Sequence, residues 1–108
     1  MEIVTEGLNV PEGPVAMDDG SVIVVEVMSG RLTRVRPDGS KHLVAETGGG
    51  PNGAAVGPDG AIYVCNNGGL AMTWANGRLA SYGRSPDYIG GCIQRHACLL
   101  YTSPSPRD

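Results

Sequence analysis

Of the 108 residues, 17 are Gly and 8 are Pro, so 25 positions punctuate the backbone, about 23% against roughly 12% in average usage, which excludes a helical bundle. The hydrophobic share of 41% supplies a core and argues against disorder, and no apolar run approaches the ~18 residues of a membrane span. The net charge is −3, and seven Arg and one Lys lie scattered along the chain, so there is no basic face for nucleic acid.

The N-terminus, Met1-Glu2-Ile3-Val4-Thr5-Glu6, is acidic and lacks the basic and apolar segments of a secretory signal, so a cytoplasmic location is expected. Four short strands follow. The first covers Gly13 to Met17, and the Asp18-Asp19-Gly20 turn leads into Ser21 to Val27, whose unbroken Val/Ile run predicts burial on both faces. Met28-Ser29-Gly30 turns the chain into Arg31 to Val35. Pro37-Asp38-Gly39, with Pro presetting one turn angle and Gly supplying another, leads into Lys41 to Glu46.

The pattern then repeats at an offset of 40 residues. Pro11 to Val25 lines up with Pro51 to Cys65, and five of the fifteen pairs are identical: the Pro, the first Gly, the Asp-Gly turn and one Val. Four antiparallel strands per ~40 residues is the signature of a β-propeller blade. The fold class is therefore all-β, with a first blade over about 10–47 and a second over about 51–96. The second is interrupted after Cys65. Its third strand is assigned to Gly91-Cys92-Ile93-Gln94-Arg95, matching Gly30 to Arg34 at an offset of 61; Gly77-Arg78-Leu79 is the second choice. The inserted loop, 68–90, carries Trp74, Tyr82 and Tyr88, and loops of that length are usually functional or disordered, a lid over a site being the functional reading.

Propellers close into rings of about four to eight blades, so one blade and most of a second read as an N-terminal fragment, residues 1–96, of a longer protein. Residues 97–108 are set apart. Cys98-Leu99-Leu100-Tyr101-Thr102-Ser103-Pro104-Ser105-Pro106-Arg107-Asp108 resembles the in-frame translation of a transposon-end sequencing adapter, with a natural Pro/Ser-rich tail as the alternative, and no function is assigned to it. The odd cysteine count, Cys65, Cys92 and Cys98, without CxxC spacing, predicts neither a disulfide framework nor a zinc site.

In a propeller, equivalent positions of successive blades converge on the central channel. Glu12 and Asn52 are such a pair, one carboxylate and one amide oxygen, and oxygen ligands of mixed charge suit a hard cation such as calcium or magnesium. Asn66 and Asn67 end a buried strand before two glycines, where contact with substrate and plain turn formation compete as explanations. Asp19, Asp38 and Asp59 fall in Asp-Gly turns without the alternating spacing of a calcium loop. His42 and His96 have no catalytic partner in view, and Cys65 is expected to be a small core residue.

Val10-Pro11-Glu12-Gly13-Pro14, the strand Ser21 to Val27, Gly30-Arg31-Leu32-Thr33-Arg34, Gly50-Pro51-Asn52-Gly53 and Tyr63-Val64-Cys65-Asn66-Asn67-Gly68-Gly69 together resemble the senescence marker protein/gluconolactonase/luciferin-regenerating enzyme family. That resemblance implies a six-bladed propeller, of which this chain would hold about two blades, binding a divalent metal in its channel and hydrolysing sugar-type lactones. Glu12 takes the place of the metal-binding Glu, and Asn52 that of an Asn contributing to both metal and substrate. Calcium is the implied ion, with magnesium, manganese or zinc as alternatives. The further ligands and the general base are expected beyond residue 96, which would leave the truncated chain inactive. The expected partner is a small lactone or sugar acid. The competing reading is a non-catalytic propeller that binds or scaffolds, as in strictosidine-synthase-like and other repeat propellers, since fold alone does not fix function.

Overall fold

The computed structural model describes residues 1–97; the tail from Cys98 onward lies outside the described residues. Within them the chain forms nine strands and no helix: β1 (Pro11–Ala16), β2 (Val22–Glu26), β3 (Arg31–Val35), β4 (Lys41–Glu46), β5 (Pro51–Val56), β6 (Ile62–Asn66), β7 (Leu70–Ala75), β8 (Arg78–Arg84) and β9 (Cys92–His96). The first four make an antiparallel meander in chain order, and β5, β6 and β9 make a second antiparallel sheet. The second sheet thus has three strands among the described residues, where a four-stranded blade was expected.

Three Asp-Gly turns are built alike. In each the glycine adopts a left-handed φ, between 82° and 89° at Gly20, Gly39 and Gly60, and the aspartate Oδ1 accepts the N–H two residues on, at Ser21, Ser40 and Ala61. These local bonds close the hairpins and set the register of the strands they join. In the first and third turns the other carboxylate oxygen reaches across the sheet to an arginine. Arg34 Nη2 lies 2.5 Å from Asp19 Oδ2, and Arg95 Nε lies 2.9 Å from Asp59 Oδ2. Each third strand is thereby pinned to the first hairpin of its sheet.

The core lies between the two sheets. Ile23, Val25 and Leu32 from the first pack with Ile62 and Val64 from the second, all fully buried, flanked by Val15, Met17, Val44, Ala45 and Ala54. Side chains of that size each contribute about 1.5–3 kcal/mol on burial. The opposite face of β2 is buried too: Val24 and Thr33 stand opposite each other, and Glu26 accepts bonds from Thr33 Oγ1 and from the Asn9 N–H, which ties the N-terminal segment to the sheet.

Strand alternation decides the fate of Cys65. Even positions of β6, Ile62, Val64 and Asn66, face the first sheet, so Tyr63 and Cys65 point the other way. Cys65 is exposed rather than a core residue. Its cross-strand partner Ile93 shares that open face at 65% exposure.

The insertion is more ordered than a loop. Asn76 (φ 53°) and Gly77 (φ 74°) form a two-residue turn with both φ positive, the arrangement that matches strand twist, and β7 and β8 pair across it. Gly77-Arg78-Leu79 therefore belongs to this hairpin, and the place beside β6 is taken by Cys92–His96, with Val64 opposite Gln94. The hairpin stands on a pedestal of backbone bonds: the Ser85 N–H to Gly69 O and the Ile89 N–H to Gly68 O. The Arg84 guanidinium sits 4.6 Å over the Tyr88 ring.

Candidate functional site

The antiparallel order gives the two sheets a common polarity. The three Asp-Gly turns lie at one end. The starts of β1 and β5, the β2–β3 turn and the inserted hairpin lie at the other, and this second end carries Glu12 and Asn52.

Both residues sit at irregularities. The β1–β2 register shifts between Glu12 and Val15, and the β5–β6 register shifts between Pro51 and Gly53. Such bulges re-aim side chains at strand ends. Immediately after each candidate ligand comes a glycine, and the two glycines touch. A Cβ built on Gly13 would stand 2.8 Å from Gly53 Cα and 3.2 Å from Ala54 N, and Gly13 holds φ +56°. The strands β1 and β5 thus approach backbone to backbone beside Glu12 and Asn52, which only a residue without a side chain permits.

Glu12 and Asn52 are both exposed, and neither side chain has a hydrogen bond or ion pair among the described residues. A free carboxylate and a free amide oxygen on neighbouring strands fit a hard divalent cation. They would supply two of the six to eight oxygens that calcium takes. Among the described residues no group of three or more His, Cys, Asp and Glu side chains comes together.

Asn66 and Asn67, adjacent in sequence, have different surroundings. Asn66 is buried, and its amide is fully used inside the protein. Its Oδ1 accepts the N–H groups of Gly50 (3.0 Å) and Gly68 (2.9 Å), and its Nδ2 donates to Gly48 O (2.9 Å) and Gln94 Oε1 (3.2 Å). Two lone pairs and two N–H groups exhaust a primary amide, so Asn66 has nothing left for substrate. It is a fastener between the β4–β5 connection and the second sheet. Asn67 is half-buried. Its Oδ1 accepts the Gly69 N–H at 2.8 Å, its Nδ2 is unpartnered among the described residues, and its amide lies flat on Gly50, where a Cβ would come within 2.3 Å of Oδ1. Of the two, Asn67 is the one with a donor to offer.

The perturbed carboxyls are far from this end. Asp19 is held down to about 2 by the Ser21 hydroxyl and N–H, with the Arg34 guanidinium adding to it. Asp59 is also held down to about 2, first by the Tyr63 hydroxyl and then by the Ala61 N–H and Arg95. These are structural clamps. Their arginines, Arg34 and Arg95, hold the same place in the two third strands, 61 residues apart, and what the sequence does not show is that each reaches the Asp-Gly turn of its own sheet. His42 is exposed on β4, and His96 Nε2 lies 3.4 Å from Gln94 Oε1.

Residues 10–90, three quarters of the chain, match the family described as SMP-30/Gluconolactonase/LRE-like region. Among curated proteins, none matches the chain.

Proposed function

Since the chain belongs to the SMP-30/gluconolactonase/LRE-like family of β-propellers, which includes lactone hydrolases, we propose that it contributes two blades to a divalent-metal-dependent hydrolase of sugar-type lactones. The observation that carries this reading is the Gly13–Gly53 contact, which sets two unengaged oxygen-bearing side chains on abutting strands at one end of the sheets. Glu12 and Asn52 would hold the ion, calcium by preference, and further blades would supply the remaining ligands and the general base. A bound divalent cation supplies Lewis-acid polarisation of a lactone carbonyl. Glu12 brings the negative charge that draws a cation to this end. Asn52 brings a neutral oxygen, so the cation keeps positive charge to spend on a carbonyl. Asn67 Nδ2 offers a hydrogen bond by which a lactone oxygen is oriented.

The test is Glu12→Gln in the full-length protein, read by calorimetric calcium titration and by hydrolysis of glucono-1,5-lactone. Replacing the charged ligand by its neutral isostere is expected to weaken calcium on the order of 100-fold and to lower hydrolysis with it. Unchanged hydrolysis in this variant would remove Glu12 from the site. Calcium binding without turnover of any lactone would favour a non-catalytic binding propeller.

A further inference from the structure

The face of the first sheet that meets the second is built on two cross-strand pairs, Ile23 opposite Arg34 and Val25 opposite Leu32. Ile23, Val25 and Leu32 are fully buried with Ile62 and Val64, and the Arg34 side chain is 9% exposed. The second sheet carries the same places on its far face. Offsets of 40 in β6 and 61 in β9 turn the pairs into Tyr63 opposite Arg95 and Cys65 opposite Ile93. The register is the same, and so is the clamp, since Arg34 reaches Asp19 and Arg95 reaches Asp59.

Only the covering differs. Cys65 is exposed, Ile93 is 65% exposed and the Arg95 side chain is 52% exposed. Places that lie out of water on the first sheet face it on the second, and apolar side chains gain by leaving it.

The interface already present says what covers such a face. On the first sheet it is a sheet of the same build, whose second strand presents Ile62 and Val64 at alternate positions. That sheet is also the next in the chain: only residues 47–50 separate β4 from β5, and consecutive elements tend to lie side by side.

We propose that the open face of the second sheet is a docking surface for a third sheet, formed by the part of the full-length chain that follows β9, with two aliphatic side chains at alternate positions in the places of Ile62 and Val64. These side chains seat on Cys65 and Ile93, and the stem of Arg95 is covered beside them as that of Arg34 is on the first sheet. The inference rests on the reading that further blades follow, and on none of its metal or lactone chemistry.

The test uses the folded full-length protein. Iodoacetamide labelling is read at Cys65 by peptide mass spectrometry in native and urea-unfolded protein, and the native thiol is expected to react at least about 100-fold more slowly, as a buried cysteine does. A native rate within about threefold of the unfolded one overturns the docking surface. Ile93→Asp is expected to lower the urea midpoint by about 1 M or more, whereas at a site left in water it would be nearly neutral; an unmoved midpoint overturns the proposal. The Cys65 measurement decides the matter if that variant does not fold. Protection of Cys65 that disappears on dilution, as light scattering reports a dimer falling to monomer, overturns the third sheet in favour of a second copy. Protected Cys65 without turnover of any lactone upholds the docking surface and overturns the hydrolase reading, and reactive Cys65 with turnover intact does the reverse.

Discussion

Asn66 provides the sharpest test of how the two sheets are joined. Asn66→Ala removes an amide that is 4% exposed and satisfies the buried N–H groups of Gly50 and Gly68 together with Gly48 O. Each buried donor left unpaired costs about 1–3 kcal/mol, and Ala supplies nothing in exchange. Two orphaned donors make a loss of about 2–6 kcal/mol, a large part of the roughly 5–15 kcal/mol that holds a domain of this size together. Urea unfolding followed by circular dichroism measures it. With a slope of about 1.5 kcal/mol per molar, the midpoint should fall by roughly 1.3–4 M. Asn67→Ala, which gives up one bond to the Gly69 N–H, should cost about 1 kcal/mol. A loss below about 1 kcal/mol for Asn66→Ala, or equal losses for the two substitutions, would mean that the Asn66 amide does not hold the sheets together.

The strand contact beside the candidate ligands and the aspartate clamps give two further expectations. Gly13→Ala places a methyl group 2.8 Å from Gly53 Cα in a left-handed backbone conformation, so about 2–4 kcal/mol should be lost. Gly53→Ala meets nothing within 4 Å and should cost under about 1 kcal/mol; equal losses in unfolding experiments would contradict the asymmetry. Asp19 and Asp59 are held near 2 in the folded protein against an ordinary 3.8, so between those values the unfolded chain binds more protons and stability rises with pH. Their contribution is complete above about pH 4 and drains away as pH falls toward 2, so urea midpoints measured across that range should decline, and Asp19→Asn should flatten the decline. A midpoint that holds steady down to pH 2 in the unsubstituted protein would be inconsistent with the clamps.

Much of the first sheet was open to inspection in the sequence. Arg31–Val35 and Lys41–Glu46 lie where the turns predicted them, because Gly30 and the Pro37-Asp38-Gly39 turn leave the chain little choice. The inserted hairpin was harder to see. Asn76-Gly77 is the usual two-residue hairpin signal, but the strands beside it lack clean alternation, and an insertion of that length reads as a loop. The open face of Cys65 depends on which side of β6 meets the first sheet, and a strand that is apolar at Ile62, Tyr63, Val64 and Cys65 does not announce its inner side. For Asn66 the limit is chemical. An amide before two glycines looks the same whether it serves a ligand or the protein, and only the positions of Gly48, Gly50 and Gln94 tell them apart.

The placement of the aspartate–arginine clamps has a consequence for how the second sheet tolerates its insertion. Asp19 and Arg34 close a segment of 15 residues, whereas Asp59 and Arg95 close one of 36. Closing the longer segment costs only about 0.8 kcal/mol more in chain entropy, because the penalty grows with the logarithm of length. The hairpin's own pairing offsets part of that by shortening the free path between its ends. The clamps occupy the turn end of the sheets, so chain can be added at the opposite end without disturbing the register they fix. One end of each blade is thereby committed to holding the strands, and the other is left free to vary in shape.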